Sequence, residues 1–276
     1  MRILLTNDDG IDSVGLHILA RAMQPFGEVV VIAPDSEYSG ASAAIGALHL
    51  MRPELHRVQL DGLGEAWTVS GPPALCVMFA RMGAFGPPFD LVVSGINPGA
   101  NVGRSVYHSG TVGAALTARS GGITGIAVSQ DVSVGSIEGQ AWDEMLSNQL
   151  WDTAAAVAAQ VVESVVATPL LEPAVLNINV PNLPVDQIRG WKRTTLATMP
   201  IRSMKLLELE PKIGHEDAYH VKLSWGEAMP LPLETDGGAV SAGYVSLTWL
   251  SRIHELDPHV DDISIAETPL DVMLHP

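Results

Sequence analysis

The sequence begins with an apolar run that leads directly into a polar turn, Arg2-Ile3-Leu4-Leu5-Thr6-Asn7-Asp8-Asp9-Gly10. Two further apolar runs, at residues 29–33 and 91–93, also lead into polar or glycine-rich segments. Helix-like segments lie between these runs. Alternating strands and helices are typical of parallel sheets with right-handed crossovers. The sequence therefore predicts an α/β fold with helices on both faces of a mostly parallel sheet.

The composition indicates a packed globular protein. The chain has 276 residues, of which 47% are hydrophobic and 17% charged, and this excludes a disordered chain. Fifteen Lys and Arg residues against 31 Asp and Glu residues give a formal net charge of −16. Nucleic-acid binders need a basic surface, so we expect no nucleic-acid partner. The acidic balance still allows a small phosphorylated substrate, because a metal ion and backbone N–H groups can hold one.

The sequence predicts a soluble cytoplasmic protein with no membrane partner. Cys76 is the sole cysteine, so an intrachain disulfide is excluded and a reducing compartment fits. The apolar run Ile3-Leu4-Leu5 is too short for a signal peptide. The most apolar long stretch, residues 154–171, is interrupted by Gln160, Glu163 and Pro169 and is not expected to span a bilayer.

The pattern changes after Asn182. Residues 1–182 form the predicted core, which ends with a long amphipathic helix at 142–166 and a strand at 176–180. Prolines then punctuate short alternating segments. We therefore expect residues 183–276 to form an irregular C-terminal extension of hairpins that acts as an oligomerisation arm.

Polar loops follow the three apolar runs of the predicted sheet. They contain Asp8 and Asp9 after the first run, Ser39 and Gly40 after the second, and Asn97 after the third. Because the carboxyl ends of parallel strands meet at one edge, we expect these loops to converge. Carboxylate, hydroxyl and amide oxygens suit Mg²⁺, Mn²⁺ or Ca²⁺ better than zinc.

Each loop taken alone has an ordinary structural explanation. Asp-Gly pairs are common in turns, and Asn97 by itself is more often a turn residue than a ligand. Consecutive strand side chains point to opposite faces, so Asp8 and Asp9 can reach one ion only if the backbone bends, which Gly10 allows. The expected convergence of the three loops, and not any single residue, indicates a metal site.

A fourth segment, Ser109-Gly110-Thr111, stands where a helix is predicted to begin. Exposed N–H groups and the positive end of the helix dipole can bind an anion there, although for the segment in isolation an ordinary N-cap is the more common explanation. The segment lacks the Gly-Lys-Ser/Thr ending of a P-loop. Residues 95–103 lack the Gly-x-Gly-x-x-Gly spacing of a dinucleotide site, so nucleotide triphosphatases and dehydrogenases are excluded.

Four ordered motifs together resemble the SurE family of stationary-phase survival proteins, which are metal-dependent 5′-nucleotidases. The resemblance covers residues 1–130, with weaker similarity at residues 176–181 and 235–246. Its motifs are Thr6-Asn7-Asp8-Asp9-Gly10, Ala33-Pro34-Asp35 with Ser39-Gly40, Ser94-Gly95-Ile96-Asn97 with Gly99 and Asn101, and Ser109-Gly110-Thr111-Val112-Gly113-Ala114-Ala115.

The resemblance implies a Rossmann-like core, one divalent cation per subunit and a homo-oligomer, either a dimer or a tetramer. Mg²⁺ or Mn²⁺ is the expected metal, with Ca²⁺ an alternative in a crystal. By motif match the metal ligands are Asp8, Asp9, Ser39 and Asn97. The substrate phosphate is expected against Gly40, Asn97, Asn101, Ser109, Gly110 and Thr111.

The predicted reaction is hydrolysis of a nucleoside 5′-monophosphate to nucleoside and phosphate. The predicted catalytic residues are Asp8, which orients or deprotonates the attacking water, Asp9, which holds the ion, and His108, a candidate proton donor to the leaving alcohol. Direct water attack and an aspartyl intermediate both remain open. For His108, an exposed histidine beside a helix start is the competing explanation.

Several positions depart from the family pattern without touching the proposed ligands: Ala44, Gly46, Pro72, Leu75, His108, Leu116 and Trp249. Pocket positions set substrate choice, so one alternative is a phosphatase for another monoester, such as a sugar phosphate or a biosynthetic intermediate. A second alternative is a non-catalytic, metal-binding oligomer.

Overall fold

The structure is a computed structural model that describes residues 1–48, 50, 52–132, 146–201, 204–227 and 229–251. Eleven strands lie in these ranges: β1 (Arg2–Thr6), β2 (Glu28–Pro34), β3 (Leu55–Val58), β4 (Ala66–Val69), β5 (Leu91–Pro98), β6 (Thr124–Gln130), β7 (Val175–Val180), β8 (Trp191–Arg193), β9 (Met204–Pro211), β10 (Tyr219–Trp225) and β11 (Val245–Leu250). The α-helices are α1 (Val14–Met23), α2 (Pro73–Arg81), α3 (Gly110–Ser120), α4 (Trp151–Ala167) and α5 (Asp236–Ser241).

Nine of these strands form one sheet in the order β3-β4-β2-β1-β5-β6-β7-β11-β8. Every neighbouring pair from β4 to β7 is parallel. By contrast, β3 and β11 run antiparallel to β4 and β7. The strand order reverses around β1, so β2 and β5 lie on either side of it. The predicted mostly parallel α/β sheet is confirmed, and the chain segments that follow β1, β2 and β5 leave the sheet side by side.

Helices cover both faces of the sheet because the strand side chains alternate in direction. All five residues of β1 are buried, as expected for a strand with helices on both sides. Ile3 and Leu5 pack in one core cluster with residues of α1 and α4, such as Leu16 and Val162. Leu4 packs in the opposite cluster with residues of α2 and α3.

The helix predicted at 142–166 is interrupted in its described part, where Leu146 is helical and residues 147–150 are not. In the described part of the chain, α4 begins at Trp151, and residues 142–145 lie outside that part. The side chain of Asn182 accepts a hydrogen bond from the Leu150 backbone N–H at 2.9 Å. This hydrogen bond connects the residue before α4 to the segment after β7.

The predicted extension contributes to the main sheet as well as forming a hairpin. β8 and β11 continue the sheet beyond β7, while β9 and β10 pair antiparallel as a separate two-stranded ribbon. The division at Asn182 therefore crosses a continuous sheet, and its role as a domain boundary stays a prediction. Residues 252–276 lie outside the described residues. Among the described helices, none has the length and apolar character needed to cross a bilayer.

Candidate active site at the carboxyl edge of the sheet

A cavity of about 550 Å³ opens where the chain leaves β1, β2 and β5. Ligands of open parallel sheets bind at this edge, beside the point where the strand order reverses. We call it the phosphate cavity, after the ligand that the motif resemblance predicts for its lining residues. It is lined by Asp8, Asp9, Glu37, Ser39, Gly40, Asn97, Pro98, Asn101, Ser105, His108 and Ser109.

Most of the residues predicted from sequence meet in the phosphate cavity. All four proposed metal ligands line it, as do His108 and three proposed phosphate-binding residues, Gly40, Asn101 and Ser109. Gly110 and Thr111 are buried and do not appear in the lining. The three segments that the sequence predicted to converge therefore do so, but Asn97 lies on β5 and not in a loop after a strand that ends at residue 93. Gly110 and Thr111 lie behind the lining residue Asp8.

Gly110 and Thr111 are directed at Asp8. The Gly110 N–H donates to Oδ2 of Asp8 at 3.1 Å, and the Thr111 hydroxyl donates to Oδ1. Ser109 caps α3 by accepting a hydrogen bond from the Val112 N–H. The N-terminus of α3, which is the positive end of the helix dipole, therefore faces the Asp8 carboxylate. Burial raises the pKa of the Asp8 carboxyl, and these hydrogen bonds oppose that rise.

Asp9 lines the same cavity, and its Oδ2 atom is buried without a hydrogen-bond partner in the described structure. Burial, followed by the negative charges of Asp8 and Glu37, raises the pKa of Asp9 to about 8. No described residue of the lining is Lys or Arg. Two adjacent carboxylates facing one cavity without a counter-charge form a site that a cation would stabilise.

The other two proposed ligands can offer oxygen atoms to such a cation. The Asn97 Nδ2 group donates to the carbonyl oxygens of Gly99 at 2.7 Å and Pro98 at 3.3 Å, so its Oδ1 is the group left to coordinate. The exposed Ser39 hydroxyl donates to Oε1 of Glu37 at 2.7 Å, which leaves its lone pairs free. The described residues contain no metal-binding cluster of three or more His, Cys, Asp or Glu side chains. The carboxylate, hydroxyl and amide oxygens of Asp8, Asp9, Ser39 and Asn97 fit a hard cation such as Mg²⁺ or Mn²⁺.

Asn101 is fixed by a buried polar network. Its backbone N–H donates to Oδ1 of Asn179 at 2.7 Å, and its Nδ2 donates to the Ser129 hydroxyl at 2.9 Å. Asn177 and Asn179 both donate to its carbonyl oxygen. These supporting residues were not among those predicted to form the site. For Asn177 and Asn179, the sequence feature that could have identified them is their spacing. They lie two positions apart in an otherwise apolar strand, so both side chains are on one face.

A close approach between α3 and the loop after β2 brings Ser39 to the cavity. A Cβ added at Gly113 would lie 2.2 Å from the Ser42 carbonyl oxygen. The Ser42 N–H donates to the carbonyl oxygen of His108 at 3.1 Å. The absence of a side chain at Gly113 therefore allows α3 to pack against this loop. Glu37 and Ser105 also line the cavity and were missed, although Glu37 lies only two residues before Ser39.

The fold and the cavity together define an α/β protein whose ligand site lies at the carboxyl edge of a parallel sheet, beside a helix N-terminus. The family model described as "Survival protein SurE" matches residues 3–203. This chain belongs to the SurE family, and the resemblance drawn from its motifs is confirmed.

Named relatives and a solved structure agree with this assignment. The chain is 38% identical to "5'/3'-nucleotidase SurE" of Erwinia tasmaniensis over 254 residues, covering 91% of this chain and 90% of that protein. It is 39% identical to "5'-nucleotidase SurE" of Legionella pneumophila strain Corby, covering 90% of each. The crystal structure of the SurE protein from Aquifex aeolicus matches with a TM-score of 0.78 and 29% identity, covering 97% of this chain and 100% of that chain.

Proposed function

We propose that this chain is a divalent-metal-dependent phosphomonoesterase that hydrolyses nucleoside 5′-monophosphates to nucleoside and phosphate. The nucleotidase names of relatives that match about 90% of the chain support the reaction class. One structural observation carries the proposal: Asp8 and Asp9 face a single cavity that lacks described Lys and Arg side chains, and Oδ2 of Asp9 is buried there without a partner.

In this proposal Asp8, Asp9, Ser39 and Asn97 hold one divalent cation, with Mg²⁺ or Mn²⁺ expected. When bound, the cation supplies Lewis-acid polarisation of the phosphoryl group and makes water a stronger acid. Asp8 orients or deprotonates the attacking water. The Thr111 hydroxyl and the Gly110 N–H hold the Asp8 carboxylate in one orientation for that task.

The phosphate is proposed to lie against Gly40, Asn97, Asn101 and Ser109. The Asn101 side chain gives one N–H to Ser129, and its second N–H is available to a phosphate oxygen. A direct contact between phosphate and Gly110 or Thr111, as the motif match implies, requires these donors to leave Asp8. We therefore propose that both residues act on the reaction mainly through Asp8.

The proposed assembly is a homo-oligomer that uses residues of the extension. On the ribbon of β9 and β10, Leu209 lies opposite Val221, and both are more than half exposed at 53% and 61%. A two-stranded ribbon is marginally stable alone, so an apolar face of this kind calls for a packing surface. On the same ribbon, Lys222 forms ion pairs with Glu208 and Glu210.

The experiment that tests the proposed function is a kcat/KM survey of the Mn²⁺-loaded protein. AMP and other nucleoside monophosphates are compared with sugar phosphates, glycerol 2-phosphate and p-nitrophenyl phosphate. A preference for nucleoside monophosphates supports the proposal. A preference for a sugar phosphate favours the alternative phosphatase, and no turnover of any ester favours the non-catalytic oligomer.

Removing the Thr111 hydroxyl separates the two roles considered for this residue. Thr111→Val keeps the shape of a fully buried side chain but deletes the donor to Asp8. We expect Mn²⁺ affinity and kcat/KM to fall by about 10-fold or more, as for other partners that orient ligands. Thr111→Ser, which keeps the hydroxyl, should stay near wild type. A Thr111→Val variant with normal Mn²⁺ affinity and only a raised KM would indicate direct phosphate contact instead.

Metal binding should release protons near neutral pH. The Asp9 carboxyl of the metal-free fold has a pKa of about 8 and is mostly protonated at pH 7. Only the carboxylate binds a cation, so we expect Mn²⁺ binding to release about one proton at pH 7 and to tighten as the pH rises toward 8. Calorimetric titration in two buffers of different ionisation enthalpy measures this number. Heats that do not depend on the buffer at pH 7 would contradict the prediction.

The proposed acid role of His108 depends on the leaving group. An alkoxide needs a proton, whereas p-nitrophenolate leaves without one. We expect His108→Gln to lower kcat for AMP by about 10²-fold and to affect p-nitrophenyl phosphate much less. An equal loss on both substrates, or no loss on either, removes the acid role.

A further inference from the structure

Asn101 lies in a loop between two glycines, beyond the end of a strand. β5 ends at Pro98, and Gly99 and Gly103 have φ angles of +107° and +53°, which lie in the left-handed region. Asn101 itself is mostly buried and lines the phosphate cavity. Since strand pairing does not fix its position, the groups that hold Asn101 decide where its side chain meets a ligand.

Asn179 on β7 holds the backbone of Asn101 at two points. Its Oδ1 accepts a hydrogen bond from the Asn101 N–H at 2.7 Å, and its Nδ2 donates to the Asn101 carbonyl oxygen at 3.1 Å. One carboxamide therefore pairs with both backbone groups of one residue, as a neighbouring strand would. Because one side of this amide must accept and the other must donate, the two partners also fix its orientation.

Ser129 on β6 holds the side chain of the same residue. The Ser129 hydroxyl accepts a hydrogen bond from Nδ2 of Asn101 at 2.9 Å. Ser129 and Asn179 are paired positions of neighbouring parallel strands, so their side chains lie side by side on one face of the sheet. When the backbone and one N–H of the planar amide are both fixed, the second N–H of Asn101 has a fixed direction as well.

The two supporting side chains do not reach the ligand space. Ser129 and Asn179 are fully buried, and neither belongs to the described lining of the phosphate cavity. β7 has β6 on one side and β11 on the other, so Asn179 stands on an interior strand of the sheet. We therefore expect both residues to act on a ligand through Asn101.

We propose that Asn179 and Ser129 are positioning residues for phosphate binding, which hold the second N–H of Asn101 where it meets a phosphoryl oxygen. The inference rests on the proposed function and adds to it two residues that do not touch the substrate. That oxygen is present in the bound substrate and in the transition state alike. The loss of the contact should therefore appear mainly in KM and only weakly in kcat.

The test compares Asn179→Ala with Asn177→Ala in the full-length, Mn²⁺-loaded protein. Asn177 is the matched control, because it lies on the same strand and is equally buried, and it donates to the Asn101 carbonyl oxygen at 2.8 Å. We expect Asn179→Ala to raise KM for AMP by about 10-fold, the scale of one lost hydrogen bond to a charged group, and to change kcat by less than about threefold. Asn177→Ala should raise KM by less than about threefold, because both backbone groups of Asn101 keep their bonds to Asn179.

A double-mutant cycle shows whether the two residues act through Asn101. Asn101→Ala and Ser129→Ala should each raise KM for AMP by about 10-fold. When Asn179→Ala or Ser129→Ala is added to Asn101→Ala, KM should rise by less than about a further twofold. Full additivity would show that the two residues act elsewhere and would overturn the inference. Ser246→Ala, which removes a buried hydroxyl beside Asn179 on β11, should leave KM unchanged.

Calorimetric binding of inorganic phosphate to the Mn²⁺-loaded protein gives a readout that does not depend on turnover. Phosphate affinity should fall by about 10-fold in Asn179→Ala. Mn²⁺ affinity, measured without phosphate, should stay at the wild-type value because neither Asn101 nor Asn179 is a proposed metal ligand. A parallel loss of Mn²⁺ affinity would indicate a disordered site and would contradict the positioning role.

The failure of this inference differs from the failure of the proposed function. Unchanged KM and unchanged phosphate affinity in Asn179→Ala overturn the positioning role and leave the hydrolase intact. No turnover of any ester overturns the proposed function, and the phosphate affinities of the variants then decide the positioning role alone. If Asn179→Ala fails to fold, Ser129→Ala and its cycle with Asn101→Ala decide in the same way.

Discussion

Asp9→Asn is expected to lower kcat for AMP by about 10³-fold, the upper range for removing one charge-stabilising group from an active site, and to weaken Mn²⁺ binding severely. The substitution keeps the shape of the side chain but removes the charge that faces the phosphate cavity, where Oδ2 is buried without a partner. Phosphate release from AMP, measured over a range of Mn²⁺ concentrations, checks the result. Full activity in Asp9→Asn would show that the cation site is wrongly assigned.

The fold of Asp9→Asn should survive, which separates lost chemistry from lost structure. The pKa of Asp9 is about 8 in the metal-free fold, above the unfolded value near 3.9. The stability that this carboxyl contributes is therefore present below pH 4 and is lost as the pH rises through 8. An amide does not ionise, so metal-free Asp9→Asn should melt no lower than wild type at pH 8.5. Asp61→Asn, in an exposed turn, is the matched control for both measurements.

Asp236→Ala is expected to destabilise the fold by about 3 kcal/mol or more, because three buried N–H groups lose a charged acceptor. The Asp236 carboxylate is fully buried and accepts hydrogen bonds from Gly103 at 2.7 Å, Gly237 at 2.8 Å and Ala197 at 2.9 Å. For a chain of this size, a loss of that magnitude lowers the Tm by roughly 6–12 °C. Thermal unfolding of the variant in the absence of metal measures the effect.

The same substitution should also lower the activity. Gly103 lies in the chain between Asn101 and His108, both of which line the phosphate cavity. The hydrogen bond from the Gly103 N–H to Asp236 therefore connects residues 183–276 to the site. We expect kcat/KM for AMP to fall even at temperatures where the variant is folded. Asp61→Ala is the control for the loss of an exposed carboxylate. A Tm within 2 °C of wild type, combined with normal activity, would contradict the anchoring role.

The convergence of the site loops could be predicted from sequence because it follows from topology. Once the runs before Asp8, Ser39 and Asn97 are taken as neighbouring parallel strands, their carboxyl ends must share an edge. The observed lining of the phosphate cavity contains all three residues. The objection that Asp8 and Asp9 would point apart does not hold in the structure, because both lie beyond the last residue of β1.

The direction of individual hydrogen bonds could not be predicted in the same way. A helix N-terminus attracts any nearby anion, and the motif does not say whether the phosphate or Asp8 lies closer to Gly110 and Thr111. The placement of β8 and β11 in the main sheet was also missed. β11 pairs with β7 and with β8, both pairings are long-range, and the local pattern of these short strands does not specify a neighbour.

An anomalous difference map from crystals of this protein grown with Mn²⁺ would locate the cation directly. We expect one strong peak per subunit in the phosphate cavity, within about 2.3 Å of oxygen atoms from Asp8, Asp9, Ser39 and Asn97. The peak should be absent in crystals of Asp9→Asn. A fully occupied Mn²⁺ ion elsewhere on the molecule, with none between the two carboxylates, would contradict the central claim.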